Sequence, residues 1–336
     1  MPGALRAALP AALLVAGLVA GCGSNRSPAQ PAVALPVAPA PAPPAELIAA
    51  GTVTPLGAPA TQVVVDPRTE TVAMALVDPP RLLLSMLDGT APPRQVALPG
   101  PAADLVLAAD GGTLLVPVTA PGSLVRVPLD GGAPSTTDLD GPAYGVLAMG
   151  GTTVVAMGDR LTVLDGSRPG RSIPGFVDAT RLVPAGTKVG VLDRGRSAVS
   201  LMDISANDAG PALRAGNGAA AAVSDRFGRM LVTDVRDGEL LVFAGDPLLL
   251  RQRFPVPGAP YGVAYDARRD LAWVTLTARN EVVGLNVARG EPVVVHRFPT
   301  VHQPDAVAVD PASGRVVVVS ASGAGLQVID PERVVR

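Results

Sequence analysis

The sequence is poor in the groups that most often carry chemistry. It has one cysteine, Cys22, so no intramolecular disulfide can form and no Cys/His cluster stands at metal-ligand spacing. Two histidines, His296 and His302, leave few candidates for a general base, and no G-x-S-x-G elbow accompanies them. Aromatic residues make up 3% of the chain against a hydrophobic content of 48%, so the core must be built from Val, Leu and Ala rather than rings. A single lysine, Lys188, and a net charge of −2 offer no basic face to nucleic acid. The folded part has no run of ten or more residues at helical period.

What is present begins at the amino terminus, "MPGALRAALPAALLVAGLVAGC". Arg6 supplies the basic start, and residues 11–20 form an apolar run about half of the roughly 20 residues that span a bilayer, which is the pattern of a secretion signal. Val19, Ala20 and Gly21 before Cys22 resemble the lipobox of bacterial lipoproteins. The resemblance implies that residues 1–21 are removed, that the Cys22 thiol receives a diacylglycerol and that the new amino terminus is often acylated as well. Two or three acyl chains, at about 0.8 kcal/mol per buried methylene, anchor stably where one does not. A sulfur so occupied has no catalytic or metal role. The alternative is an ordinary secretory signal with a free thiol. The expected location is the cell membrane, lipid-anchored on the extracytoplasmic side, and the Arg, Ala, Gly and Pro bias with the lipobox fits an actinobacterial source.

Residues 22–46 follow as a tether. From Ser27 to Ala45 proline stands at every second to fourth position, which fixes φ, removes donors and keeps the segment out of helices and sheet ladders. An extended segment of this length reaches roughly 60 Å and reads as a spacer between membrane and folded domain.

Residues 47–336 alternate short apolar runs with Gly, Pro and Asp clusters. Strand–turn–strand units begin at Thr61, Asp104, Tyr144, Ala179, Ala220, Tyr261 and Asp305, and most are followed by a third strand such as "SLVRVPL" or "GLQVIDP". This spacing predicts an all-β fold, a seven-bladed β-propeller, with six or eight blades as the alternatives. The last unit has room for only three strands. "LIAAGTVTPL", from Leu47 to Leu56, is expected to add the outermost strand of the last blade and close the ring.

"AVAVDPASGRVVVVSASGAGLQVIDP" resembles the YVTN-type, or surface-layer-like, propeller repeat. The resemblance extends over residues 47 to 336 and implies a scaffold or binding module. A WD40 repeat is disfavoured, because Trp273 is the only tryptophan and Val274 follows it.

A propeller's default site is the mouth of its channel, where the loops leading into the innermost strands converge. The unit alignment places Asp104, Tyr144, Asp178, Tyr261 and Asp305 there, and His302 in the loop "TVHQPDA" joins them. The recurrence of "GPAYGV" and "GAPYGV" reflects either repeat duplication or a shared ligand surface. His296, in "VVVHRF", reads as structural. The glycine-rich pieces at 110–112, 130–132 and 150–153 open no helix and read as hairpin turns. The leading expectation is therefore a non-enzymatic binding or assembly platform for an envelope protein or glycan, with no cofactor, no catalytic residue and no metal. The alternative is a lactonase-like metal-dependent hydrolase holding Ca²⁺ between Asp104, Asp178 and Asp305, although calcium wants six to eight oxygens.

Overall fold

The computed structural model describes residues 35–109 and 111–333, and for Asp208 the backbone alone. Residues 1–21, including Val19, Ala20 and Gly21, and Cys22 with the first part of the tether lie outside the described residues. Among the described residues the chain is all-β apart from one short 3₁₀ turn, Thr277–Arg279, and no helix is long and apolar enough to cross a membrane.

Among the described residues the strands form six antiparallel sheets in which, apart from Thr52–Thr54, sequence neighbours pair. Five sheets have four strands; the first runs Ala60–Asp66, Thr71–Leu76, Arg81–Met86, Arg94–Ala97. The sixth has seven strands and turns about the 18-residue strand Arg168–Ala185. Residues 168–174 of that strand pair back onto Gly158–Asp165, and residues 179–185 pair forward onto Lys188–Asp193. The two halves thus serve successive four-stranded units.

The expected closing strand is present. Thr52–Thr54 pairs antiparallel with Leu326–Ile329 at the outer edge of the last sheet. Gln327, fully buried, fixes this junction: its amide donates to Ala50 O (2.7 Å) and Pro299 O (3.0 Å), and its oxygen accepts the Val301 N–H (2.9 Å).

The aliphatic composition explains how the sheets stack. Each buried cluster lies between consecutive units: Met74 and Val65 of the first sheet meet Val317 and Val319 of the last, Leu82 meets Leu114, Leu231 meets Val274, and Trp273 meets Val316 and Val318. Strands such as Thr71–Leu76 and Val316–Ser320 are covered on both faces, which is why they lack polar alternation. An aspartate that recurs at the end of four innermost strands serves the turn. Asp66, Asp225, Asp266 and Asp310 are buried, and their carboxylates accept N–H groups from two residues on, as from Arg68 (3.1 Å), Phe227 (2.9 Å), Arg268 (2.9 Å) and Ala312 (3.0 Å).

Candidate functional site

The innermost strands enclose a cavity of about 560 Å³. Its lining comes from residues 61–65, 103–107, 144, 180–184, 220–224, 261–265 and 305–309, so every starting point read from the repeat falls on or beside the channel. Val63, Leu107, Val223, Val263 and Val307 are among the apolar side chains of this lining, and most of its polar groups lie where the chain enters the innermost strands, with Ser224 and Tyr265 at the far end.

Asp104, Tyr144, Tyr261 and Asp305 all line this opening, as the sequence suggests. Asp104 is 2% exposed. Its Oδ1 accepts the Leu105 N–H (2.8 Å) and pairs with Arg181, while its Oδ2 is buried without a hydrogen-bond partner. Thr180 Oγ1, on the same rim, is also buried and unpartnered. Asp305 accepts from Gln303 Nε2 (2.7 Å), but burial still pushes its carboxyl above the ordinary carboxylate value.

Two expected residues stand apart. Asp178 lies outside the cavity lining. Burial raises its carboxyl, Arg194 opposes that shift and the neighbouring Asp193 adds to it. His302 sits at the edge of the rim, with Nδ1 2.8 Å from Ser322 Oγ and Nε2 3.3 Å from the Ala42 carbonyl. A carbonyl can only accept, so this geometry puts a proton on Nε2. His296 stacks on Trp273 (5.4 Å between centroids) and Phe298 (5.8 Å), in keeping with a structural role.

The calcium arrangement does not fit these residues. Asp104 already has a guanidinium partner, Asp178 is off the cavity, and the three carboxylates do not converge. The one group of three carboxylates that does converge among the described residues is Asp234, Asp237 and Glu239. There Asp234 accepts the Asn217 and Gly218 N–H groups, Asp237 accepts from Asn217 Nδ2, and Glu239 from Arg253. Each has a partner within the protein.

The tether contributes to the site in a way its composition does not announce. Residues 35–43, in neither helix nor strand, lie on the mouth instead of standing free as a spacer. Arg236 Nη2 donates to Leu35 O (3.0 Å), Arg194 to Val37 O, Gln303 Nε2 to Ala40 O (3.1 Å), and Asn280 Nδ2 to Pro43 O (2.7 Å). Gln303 Oε1 accepts the Ala42 N–H (2.9 Å). Val37 is buried, and Pro39 lines the channel cavity together with Tyr144 and Tyr261.

Arg194, Arg236, Asn280 and Gln303 are therefore rim residues that an alignment on innermost strands misses. Arg194, Arg236 and Asn280 follow the second strand of their units, at the same end of the channel. The signal for two of them was the aspartate closing that strand, Asp193 in "LDRG" and Asp234 in "TDVRDG". Each carboxylate accepts backbone N–H groups of the segment leading into its unit's innermost strand, at Val177 (2.9 Å) and Asp178 (3.0 Å) for Asp193, and at Asn217 (2.9 Å) and Gly218 (2.9 Å) for Asp234.

No family model and no curated protein sequence matches the chain. Solved structures do. The chain is similar to a Kuenenia stuttgartiensis hydrazine synthase structure at TM-score 0.71 and 14% identity, over 83% of this chain and 98% of that one. It is also similar to a catalytically inactive histidine-to-alanine variant of virginiamycin B lyase from Staphylococcus aureus with quinupristin, at TM-score 0.69 and 12% identity, over 82% and 97%. A streptogramin B lyase structure matches at TM-score 0.66 and 12% identity, over 82% and 96%. At such identities the likeness shows the fold, a β-propeller, and leaves function to the site.

Proposed function

We propose that the chain is a lipoprotein held through Cys22 at the extracytoplasmic face of the cell membrane, whose propeller of seven blades is a non-enzymatic platform for a protein or glycan of the envelope. The binding site is the channel mouth. The observation that carries this reading is the pair of buried, unpartnered acceptors, Asp104 Oδ2 and Thr180 Oγ1, on the rim of a cavity lined by Tyr144, Tyr261 and Asp305. Buried polar atoms without partners cost free energy, and a ligand that brings a donor removes the cost. Tyrosines beside them supply apolar area with a polar tip, a composition enriched at interfaces.

Seven blades are supported by the seven cavity-lining segments and by the two-unit pairing of the strand Arg168–Ala185. The anchor rests on Val19, Ala20, Gly21 and Cys22, and the repeat on its similarity to the YVTN type. The hydrolase reading has less behind it, since Arg181 already neutralises Asp104.

The test has two arms. Cys22→Ala should release the protein from membranes with its fold intact, and a variant that stays membrane-bound and migrates like wild type would overturn the anchor. A photocrosslinking residue at Tyr144 or Tyr261 in intact cells should give discrete adducts that the same probe at Arg251, on an outermost strand, does not. Equal labelling at both places, or substrate turnover abolished by His302→Ala, would overturn the platform.

A further inference from the structure

The rim groups that reach the tether have a common chemistry. Side chains of Arg236, Arg194, Gln303, His302 and Asn280 address the carbonyls of Leu35, Val37, Ala40, Ala42 and Pro43, and only the Ala42 N–H is taken in return. Four of the nine residues 35–43 are proline, which keeps its carbonyl and has no N–H to offer. Such a chain cannot be recognised as a strand. It can be recognised by donors spaced along an acceptor-only backbone, and its extended form is largely preset, so little conformational entropy is lost on docking. Arg194 Nε remains buried without a partner, and Val37 fills a buried position, so the groove has both polar and apolar subsites.

We propose that the channel mouth is a recognition groove for an extended, proline-rich peptide segment, that residues 35–43 are its resident occupant in cis, and that an external segment of the same chemistry binds by displacing them. The inference rests on the mouth being the binding site. It adds the ligand class and a regulatory consequence: while the strap lies across the mouth, Pro39 stands at the cavity and access to Tyr144, Tyr261 and Asp104 is restricted. A covalently attached competitor acts at an effective concentration of order millimolar, so a trans peptide with a dissociation constant near 100 μM should appear about tenfold weaker against the intact strap.

The experiment uses the full chain made soluble by Cys22→Ala, with and without replacement of residues 35–43 by a Gly/Ser stretch of equal length. The probe is a fluorescent synthetic peptide of residues 31–46, with a Gly/Ser peptide as control. The strap-replaced protein should bind one equivalent of the proline-rich peptide, at least about tenfold more tightly than the protein with its native strap. Asn280→Ala with Gln303→Ala in that background should cut binding by a further factor of about ten. Absence of saturable binding, or equal binding by both proteins, would overturn the proposal. If the replaced protein does not fold, excess peptide added to the native-strap protein must raise amide exchange at Val37, Ala40 and Ala42, and unchanged exchange overturns it as well. Crosslinks from Tyr144 that persist while the peptide fails to bind would remove this inference and leave the platform. Peptide binding without such crosslinks would do the reverse.

Discussion

Gln303 holds Ala42 much as a neighbouring strand would: its side-chain oxygen accepts the Ala42 N–H at 2.9 Å while its amide donates to Ala40 O at 3.1 Å. The residue's own backbone is left-handed (φ 55°), and its N–H donates to Asn280 Oδ1 at 3.0 Å. A side-chain amide thus supplies the ladder that a proline-rich segment cannot build for itself. Gln303→Ala should raise exchange at the Ala42 amide by about fivefold, the effect of losing roughly 1 kcal/mol of net hydrogen bonding, and leave the melting temperature nearly unchanged. Exchange as slow as in wild type would mean that the strap is held elsewhere.

Gln327 makes the opposite prediction, a large loss of global stability. Truncation to alanine strips the buried Val301 N–H and the Ala50 carbonyl of their side-chain partner at the point where the amino-terminal strand joins the last sheet. Gln327→Ala should destabilise by about 2–4 kcal/mol, because each buried group left unsatisfied costs about 1–3 kcal/mol. Denaturant unfolding read at Trp273 is a suitable measure, since that side chain packs in the cluster between the last two sheets.

The paired "AYGV" and "PYGV" motifs have a packing explanation. A Cβ on Gly145 would lie 2.5 Å from Thr180 O, and one on Gly262 would lie 2.7 Å from Asp305 O, both on the next innermost strand. Neither glycine has a positive φ, so its role is closeness, not conformational freedom. Gly262→Ala gains about 0.5–1 kcal/mol from reduced backbone entropy but faces about 1–3 kcal/mol of overpacking, and a backbone carbonyl cannot swing aside. The clash should win, with lowered stability and a distorted mouth, visible as weaker crosslinking from Tyr261.

How much of this was legible follows from which interactions are periodic. The innermost strands could be located because the units bury the same aliphatic face, and four of them end in an aspartate-capped turn, at Asp66, Asp225, Asp266 and Asp310. The closing strand was legible because the last unit was one strand short. Asp104, Tyr144, Tyr261 and Asp305 followed from register alone. The docking of residues 35–43 did not, because it depends on single side chains, Arg236, Arg194, Asn280 and Gln303, in turns that differ from unit to unit. Nor could register show that Asp178 turns from the cavity, since its backbone N–H is committed to Asp193 at 3.0 Å.

Asp305 and Asp178, two of the carboxyls that burial raises, give a pH dependence of definite sign. A folded-state value above the unfolded one means that the native protein binds more protons across the window between them. The contribution to stability is fully present below the ordinary value of 3.8 and is lost as pH rises through the raised values. Carboxyls such as Asp140, lowered by its hydrogen bond to Arg160, act in the other sense, so the readout must be a difference. Asp178→Asn with Asp305→Asn should be more stable relative to wild type at pH 7 than at pH 4 in paired thermal melts. A pH-independent difference would show that neither group titrates anomalously.

Arg181 and Asp104 decide whether the mouth is chiefly a structural or a binding feature. Asp104 is nearly fully buried, so Arg181→Ala would strand a carboxylate whose Oδ2 already lacks a partner. Removing one partner of a buried pair typically costs about 3–5 kcal/mol; Arg181 is 24% exposed and water can partly replace it, which points to the lower end. Asp104→Asn should cost less, because the amide oxygen can still accept the Leu105 N–H and the Arg181 guanidinium left without its partner is 24% exposed and reaches water. Asp104→Asn with Arg181→Met should therefore recover much of the stability lost in Arg181→Ala. If the unpartnered oxygen serves a ligand, the recovered double variant must still lose crosslinking from Tyr144. A double variant that is stable and crosslinks as wild type does would assign the pair to folding alone.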